Sequence, residues 1–169
     1  MRVRRRYFLA GFLGTLARGG GAKRARHLQE LLQSATGRAV NFVIVDKKRS
    51  QDIVSGDLFA GDVAGRRVII VDDLISSGTT VLHAIDACRR AGAARIDVAA
   101  AHASFAPAAL RIFESGKPDS MVVTDSVALS GGFLAYLNQS LTALSIAPVF
   151  AEAIRRLEQG GSMSELAGL

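Results

Sequence analysis

A continuous β-branched run, Val68-Ile69-Ile70-Val71, leads straight into two adjacent carboxylates, Asp72 and Asp73. A strand with no polar alternation must be buried on both faces, which is the situation of a strand inside a parallel sheet covered by helices. The chain leaves this strand through small hydroxylic residues, Ser76, Ser77, Gly78, Thr79 and Thr80, as a loop spanning Asp72 to Thr80. A helical pattern follows over Val81–Ala91, with Val81, Ile85 and Cys88 on one face and Gly92 as its stop.

The rest of the sequence repeats this grammar. Helical spacing is expected over Ala22–Ser34, with Ala25, Leu28, Leu31 and Leu32 as its apolar face. Strands are expected at Val40–Val45, Ile96–Ala101, Met121–Thr124 and Leu144–Ile146. Helices are expected at Pro107–Glu114 and Pro148–Gln159, the second with Phe150, Ile154 and Leu157 turned inward. Turn signals stand at Gly61 and Gly65. Strands alternating with helices predict an α/β fold: a three-layer parallel sheet flanked by helices on both faces. Residues 19–169 form one domain in this reading, preceded by an atypical basic and apolar segment, residues 1–18.

Strand, twin carboxylates, hydroxylic loop and helix start together suggest a ligand site. In open α/β sheets ligands sit beyond the carboxyl ends of the strands. A helix N-terminus offers free N–H groups to an anion, Gly78 lets the backbone come close to it, and the hydroxyls add donors. Carboxylates repel a phosphate at contact distance but accept from sugar hydroxyls, or help hold a hydrated Mg²⁺, one step away. A phosphorylated sugar satisfies both halves. The plainer alternative is a helix capped by Ser76 or Ser77 with solvated aspartates.

Composition narrows the classes. With 49% hydrophobic and 21% charged residues the chain is not a disordered one. The single cysteine, Cys88, excludes an internal disulfide and reads as a small buried hydrophobe. Lys and Arg number 21 against 15 Asp and Glu, a net +6, but four of the charges are Arg2, Arg4, Arg5 and Arg6. No aromatic and basic interleaving accompanies them, so no nucleic-acid partner is expected. No apolar span reaches the roughly 18 residues of a membrane helix. Residues 1–18 read either as a leader with a short apolar region or, preferred here, as a start within a longer frame with an altered strand in Tyr7–Ala17. His27 and His83 lie in helical stretches and are expected at the surface.

The segment VIIVDDLISSGTT resembles the PRPP-binding motif of type I phosphoribosyltransferases and of ribose-phosphate diphosphokinases, the PRPP synthetases. The flanks are similar to the synthetases: GGGAKRAR at Gly19–Arg26, VDKKR at Val45–Arg49, Gly61–Gly65 before the motif strand, AHASFAPA at Ala101–Ala108, VVTDS at Val122–Ser126 and LSIAPVFAEAIRR at Leu144–Arg156. The resemblance runs from about Gly19 to Leu166 and corresponds to the C-terminal half of a full synthetase.

The resemblance implies a type I phosphoribosyltransferase-like fold, cytoplasmic nucleotide biosynthesis, and Mg²⁺-dependent transfer of diphosphate from ATP to ribose 5-phosphate. Carried over by position, Ser76–Thr80 would hold the 5-phosphate, Asp72 and Asp73 the ribose hydroxyls, and Lys47 and Arg49 would be the catalytic cations. His102, with Asp72, would lie near the nucleotide and metal. The departures are Ser76 where a third Asp is common, Arg18 where an Asp precedes the glycines, and Ala103 and Ala106 in place of two of the family's glycines. The missing N-terminal half leaves three expectations: a synthetase, a non-catalytic ribose-5-phosphate or PRPP binder or regulatory subunit, or a transferase using PRPP and a base. It also implies a homo-oligomer, or a hetero-oligomer with a synthetase, with Leu9, Phe12, Leu13 and Phe59 as candidate interface residues.

Overall fold

The computed structural model describes residues 13–15, 21–37, 39–40, 42–46, 58–59, 63–115 and 118–166. In chain order the elements are β1 (Leu13–Thr15), α1 (Gly21–Thr36), β2 (Phe42–Asp46), β3 (Leu58–Phe59), β4 (Arg67–Leu74), α2 (Thr79–Arg90) and β5 (Arg95–His102). A 3₁₀ turn at Pro107–Ala109 then opens α3 (Leu110–Glu114). β6 (Ser120–Thr124), a second 3₁₀ segment (Gly131–Tyr136), β7 (Leu141–Leu144), α4 (Ala147–Gln159) and α5 (Met163–Leu166) follow.

The strands form one sheet in the order β3-β2-β1-β4-β5-β6-β7. All neighbours pair in parallel except β2 with β3, which closes one edge antiparallel. From β4 the chain steps toward β7, and from β1 it steps the other way to β2. With right-handed crossovers, α1 therefore lies on one face and α2 and α3 on the other. A strand does form within Tyr7–Ala17: β1 is central, between β2 and β4. Of the candidate interface residues, Leu13 lies in β1 and Phe59 in β3, whereas Leu9 and Phe12 lie outside the described residues.

Alternation along the strands builds the core. Val68 and Ile70 of β4, Ile96 and Val98 of β5, and Met121 and Val123 of β6 point to the α2 face, and all six are buried. From α2, Val81, Ala84, Ile85 and Cys88 pack on them. The expected helix face and the buried cysteine are thus both present. His27 and His83 are exposed, as expected. Gly65 and Gly92 turn the chain with φ of +67° and +82°.

The structure corrects the expectations at both ends of the sheet. The last strand is Leu141–Leu144, so Ser145 and Ile146 fall beyond it. In α1, Leu31 is exposed instead of buried. The closing helix begins at Ala147, and its apolar stripe is not inward: Phe150, Ile154 and Leu157 are 60%, 60% and 68% exposed. An amphipathic pattern says that a stripe favours burial, not that its own chain supplies the cover. The β7 edge of the sheet is also open, with Thr142 and Leu144 exposed. No helix among the described residues is long and apolar enough to cross a membrane.

At the N-terminal end of the sheet the buried carboxylate of Asp97 ties three strands together. It accepts from Arg67 of β4, from Arg95 Nη2 at 3.0 Å and from Ser120 of β6 at 2.5 Å. Burial opposes its ionisation, but the hydrogen bonds from Arg95, Ser120 and Arg67 outweigh that and hold its pKa below the ordinary 3.8. Its contribution is therefore complete above the unfolded value and is lost as pH falls through the folded one. Asp97→Asn is expected to cost about 3 kcal/mol at pH 7, because two guanidinium groups lose a buried partner. Urea unfolding at pH 7 and at pH 3 checks this: the deficit should shrink in acid.

Candidate functional site

β4 runs further than its apolar composition indicates. Ladder pairing of Asp72 with Ala100 and of Leu74 with His102 keeps both aspartates in the strand, not in the loop that follows. Alternation sends Asp72 to the α2 face with Ile70, and the Asp73 carboxylate stays within reach of that of Asp72. The loop proper is short. The Ile75 N–H donates to His102 O at 3.0 Å, and the Ala106 N–H donates to Ser76 O at 3.1 Å. These two bonds lash the loop to the segment after β5. Ile75 is buried, while Ser76, Ser77, Thr79 and Thr80 stay exposed.

Gly78 is the hinge between loop and helix. It is the N-cap of α2 with φ of +75°, a left-handed conformation that side chains disfavour. A Cβ there would also lie 2.9 Å from Ile112 Cγ1 and closer still to Cδ1. Glycine is thus required twice over. It places the first turn of α2 at the C-terminal edge of the sheet, and as the N-cap residue it makes no side-chain cap bond. The alternative of capping by Ser77 is met in one long bond: Ser77 Oγ accepts from the Thr79 N–H at 3.5 Å and lies 3.2 Å from Thr79 Oγ1. The twelve-residue helix thus starts beside a rim of exposed hydroxyls, an arrangement that suits an anion.

A family model, the phosphoribosyl synthetase-associated domain, matches residues 33–167. The chain belongs to this family. Ribose-phosphate pyrophosphokinases of Pasteurella multocida and Vibrio cholerae are 37% and 36% identical to it over 148 residues, 87% of this chain and 45% of each relative. The solved phosphoribosylpyrophosphate synthetase of Mycobacterium smegmatis is similar with a TM-score of 0.71 and 26% identity, over 89% of this chain and 46% of that one. The chain thus spans about half the length of the relatives it matches.

In this member of the phosphoribosyl synthetase-associated family, the carboxylate pair has a definite electrostatic character. Partial burial raises the Asp72 pKa. The N–H of Asp73, which donates to Asp72 Oδ1 at 2.9 Å, works against this, and the neighbouring Asp73 carboxylate reinforces it. Two like charges at a strand end, one of them half buried, make a hard-oxygen site suited to a cation or to sugar hydroxyls. No cluster of three or more His, Cys, Asp or Glu side chains is found among the described residues.

His102 ends β5 at the same edge. Its Nδ1 lies 2.8 Å from Ser126 Oγ, so the ring is oriented by the segment after β6. Thr124 Oγ1 donates to Ala101 O at 2.6 Å and also lies 2.8 Å from Ser126 Oγ. Asp125 accepts from the Ile146 N–H at 2.9 Å, and hydrogen bonds from there and from Ser145 lower its pKa. Sequence reasoning assigned no role to Thr124, Asp125 or Ser126. The available signal was the polar triplet that directly follows the apolar run of β6, as Asp72 and Asp73 follow that of β4.

Lys47 and Arg49 lie outside the described residues. The strand before them is placed: pairing Ile44 and Val71 with the same β1 residue, Thr15, brings Asp46 level with Asp73, two strands away. That is about 10 Å at the usual strand spacing.

Gly78→Ala should lower stability by about 3 kcal/mol, from the left-handed strain and the overlap with Ile112 together, as read by chemical denaturation. Asp72→Asn relieves the repulsion with Asp73. The ligand-free variant should melt at or above the wild-type temperature in scanning calorimetry.

Proposed function

We propose that this chain binds the 5-phosphoribosyl group of ribose 5-phosphate or PRPP, as the sugar-phosphate half of a ribose-phosphate diphosphokinase. The start of α2, entered through the left-handed turn at Gly78 just after Asp72 and Asp73, carries the reading. The N–H groups of the first turn and the hydroxyls of Ser76, Ser77, Thr79 and Thr80 would take the phosphate. Asp72 and Asp73 would accept from the ribose diol. Mg²⁺ would share these carboxylates with substrate oxygens and neutralise charge on a transferring group.

In the full reaction the 1-hydroxyl oxygen of ribose 5-phosphate attacks the β-phosphorus of ATP. The bond from that phosphorus to the bridging oxygen of the α-phosphate breaks, and AMP leaves. Such transfers depend on positioning and charge neutralisation, which is the role proposed for Lys47 and Arg49. Substrates, Mg²⁺ and a cytoplasmic setting come with this reading.

A second reading has its own support. The apolar stripe of α4 stands open to solvent. It favours a binding or regulatory subunit that joins copies of itself or a full synthetase. Turnover separates the two readings, and binding tests what they share. With Mg²⁺ present, ribose 5-phosphate and PRPP should give heat on titration and raise the melting temperature. Asp72→Asn/Asp73→Asn should weaken binding at least about tenfold, on the scale of two lost charge-assisted hydrogen bonds. No heat and no melting shift would overturn the assignment. AMP release above a Lys47→Ala control selects the enzyme; ligand binding without AMP selects the subunit.

A further inference from the structure

The two faces of the sheet are not equally covered. On the α2 face Val68, Ile70, Ile96, Val98, Met121 and Val123 are each at most 2% exposed. The register places Val71, Ala99, Val122 and Thr142 in one row across the opposite face, from β4 to β7. Val71, Ala99 and Val122 are only half-buried, and Thr142 is exposed, as is Leu144 further along β7. On this face α1 lies against β1, β2 and β4. A parallel sheet is ordinarily covered on both faces, because its strands carry apolar side chains on each. The part over β5 to β7 is therefore a surface that favours a helix.

Its shape and charge narrow which helix. Ala99 stands between Val71 and Val122, each about 4.8 Å away at the usual strand spacing, so the row has a dent that receives one large side chain. Nearer the N-terminal end of β5, Arg95 is 47% exposed beside the buried Asp97. The distance from Ala99 to Arg95 along the strand is about 13 Å. In α4, Phe150, Ile154 and Leu157 stand open to solvent and the exposed Glu158 follows directly. The distance from Phe150 to Glu158 along the helix is about 12 Å. Laid antiparallel to the strands, α4 thus sets Phe150 over Ala99 and brings Glu158 to Arg95, opposite charges at matching separations. In its own chain α4 does not take this place. Asp125 accepts from the Ile146 N–H at 2.9 Å and fixes the helix start at the end of β7, and the stripe stays exposed.

We propose that a second copy of this chain supplies the cover: the α4 stripe of each copy lies on the β5–β7 face of the other in a two-fold dimer. Such an arrangement is isologous, so every contact is made twice. Two helix-on-sheet contacts together bury on the order of 1,000 Å², the scale at which specific interfaces begin. The inference rests on the subunit reading of the preceding subsection and deepens it, and it is independent of the sugar-phosphate loop.

Sedimentation equilibrium of the whole chain should show a monomer–dimer equilibrium. Phe150→Glu and Thr142→Arg change exposed positions and leave the core intact. Each should weaken dimerisation at least about tenfold, since each sets an unpaired charge into an apolar contact twice per dimer. A short bismaleimide should couple Phe150→Cys chains to Ala99→Cys chains when the two are mixed, and should not couple Phe150→Cys chains to one another. A chain that stays monomeric at its highest soluble concentration overturns the proposal, as does a dimer that both charged variants leave intact. Coupling of Phe150→Cys only to itself shows helix on helix and overturns it as well. Titration of ribose 5-phosphate with Mg²⁺ into Phe150→Glu separates the two readings. Heat from this monomeric variant keeps the loop whatever the dimer does; no heat from it or from the wild type removes the loop and leaves the dimer to sedimentation.

Discussion

Two backbone hydrogen bonds govern the functional end of this molecule: the Ile75 N–H to His102 O, and the Ala106 N–H to Ser76 O. Each joins the exit of β4 to the exit of β5. Without them the loop after Asp73 would be an ordinary connection free to close over its own helix. With them, Ile75 is fixed in the core and the next residues must climb over the sheet edge. The left-handed turn at Gly78 then becomes the way into α2, and the bulk of Ile112 beneath it leaves no room for another residue. The start of α2 and the rim of exposed hydroxyls inherit this geometry.

The two ends of the sheet spend their polar groups differently. At the N-terminal end charge is neutralised within the fold. Asp97 is surrounded by Arg67, Arg95 and Ser120, and Asp119 accepts from Arg89 and from the Ile96 N–H, both at 2.7 Å. At the C-terminal end, carboxylates stand side by side and a helix begins beside a rim of exposed hydroxyls. A fold that satisfies its charges at one end and leaves like charges together at the other marks the second end as its candidate site.

Much of this was legible in the sequence, for physical reasons that differ by element. The β-branched runs of β4 to β6 gave the sheet, and the spacing of Val81, Ile85 and Cys88 gave the buried face of α2. These signals reflect burial against neighbours within the same chain. The ends of elements were less legible. Strand β4 absorbs Asp72 and Asp73 because the ladder with Ala100 and His102 offsets their poor β-propensity, a tertiary effect that local composition does not carry. Ser145 and Ile146 were placed in the last strand on apolar character alone, whereas pairing with β6 selects Leu141–Leu144. The hydroxyls of Thr124 and Ser126 acquire meaning only beside Ala101 and His102, more than twenty residues away.

The stripe of α4 shows where such reasoning needs the whole assembly. Phe150, Ile154 and Leu157 have the spacing of a core-facing helix, yet they face solvent. The polar side of α4, by contrast, is fully engaged: Arg156 bonds Glu152 at 2.8 Å and Ser162 O at 2.6 Å, tying α5 back against it. A helix that secures its charged side and leaves its apolar side open presents a stripe that favours cover. The same logic separates the residues of β7: Leu141 is buried beside its partner Met121, whereas Thr142 and Leu144 stand exposed at the edge of the sheet. Local pattern marks where burial is favoured, and only the neighbours decide whether it happens.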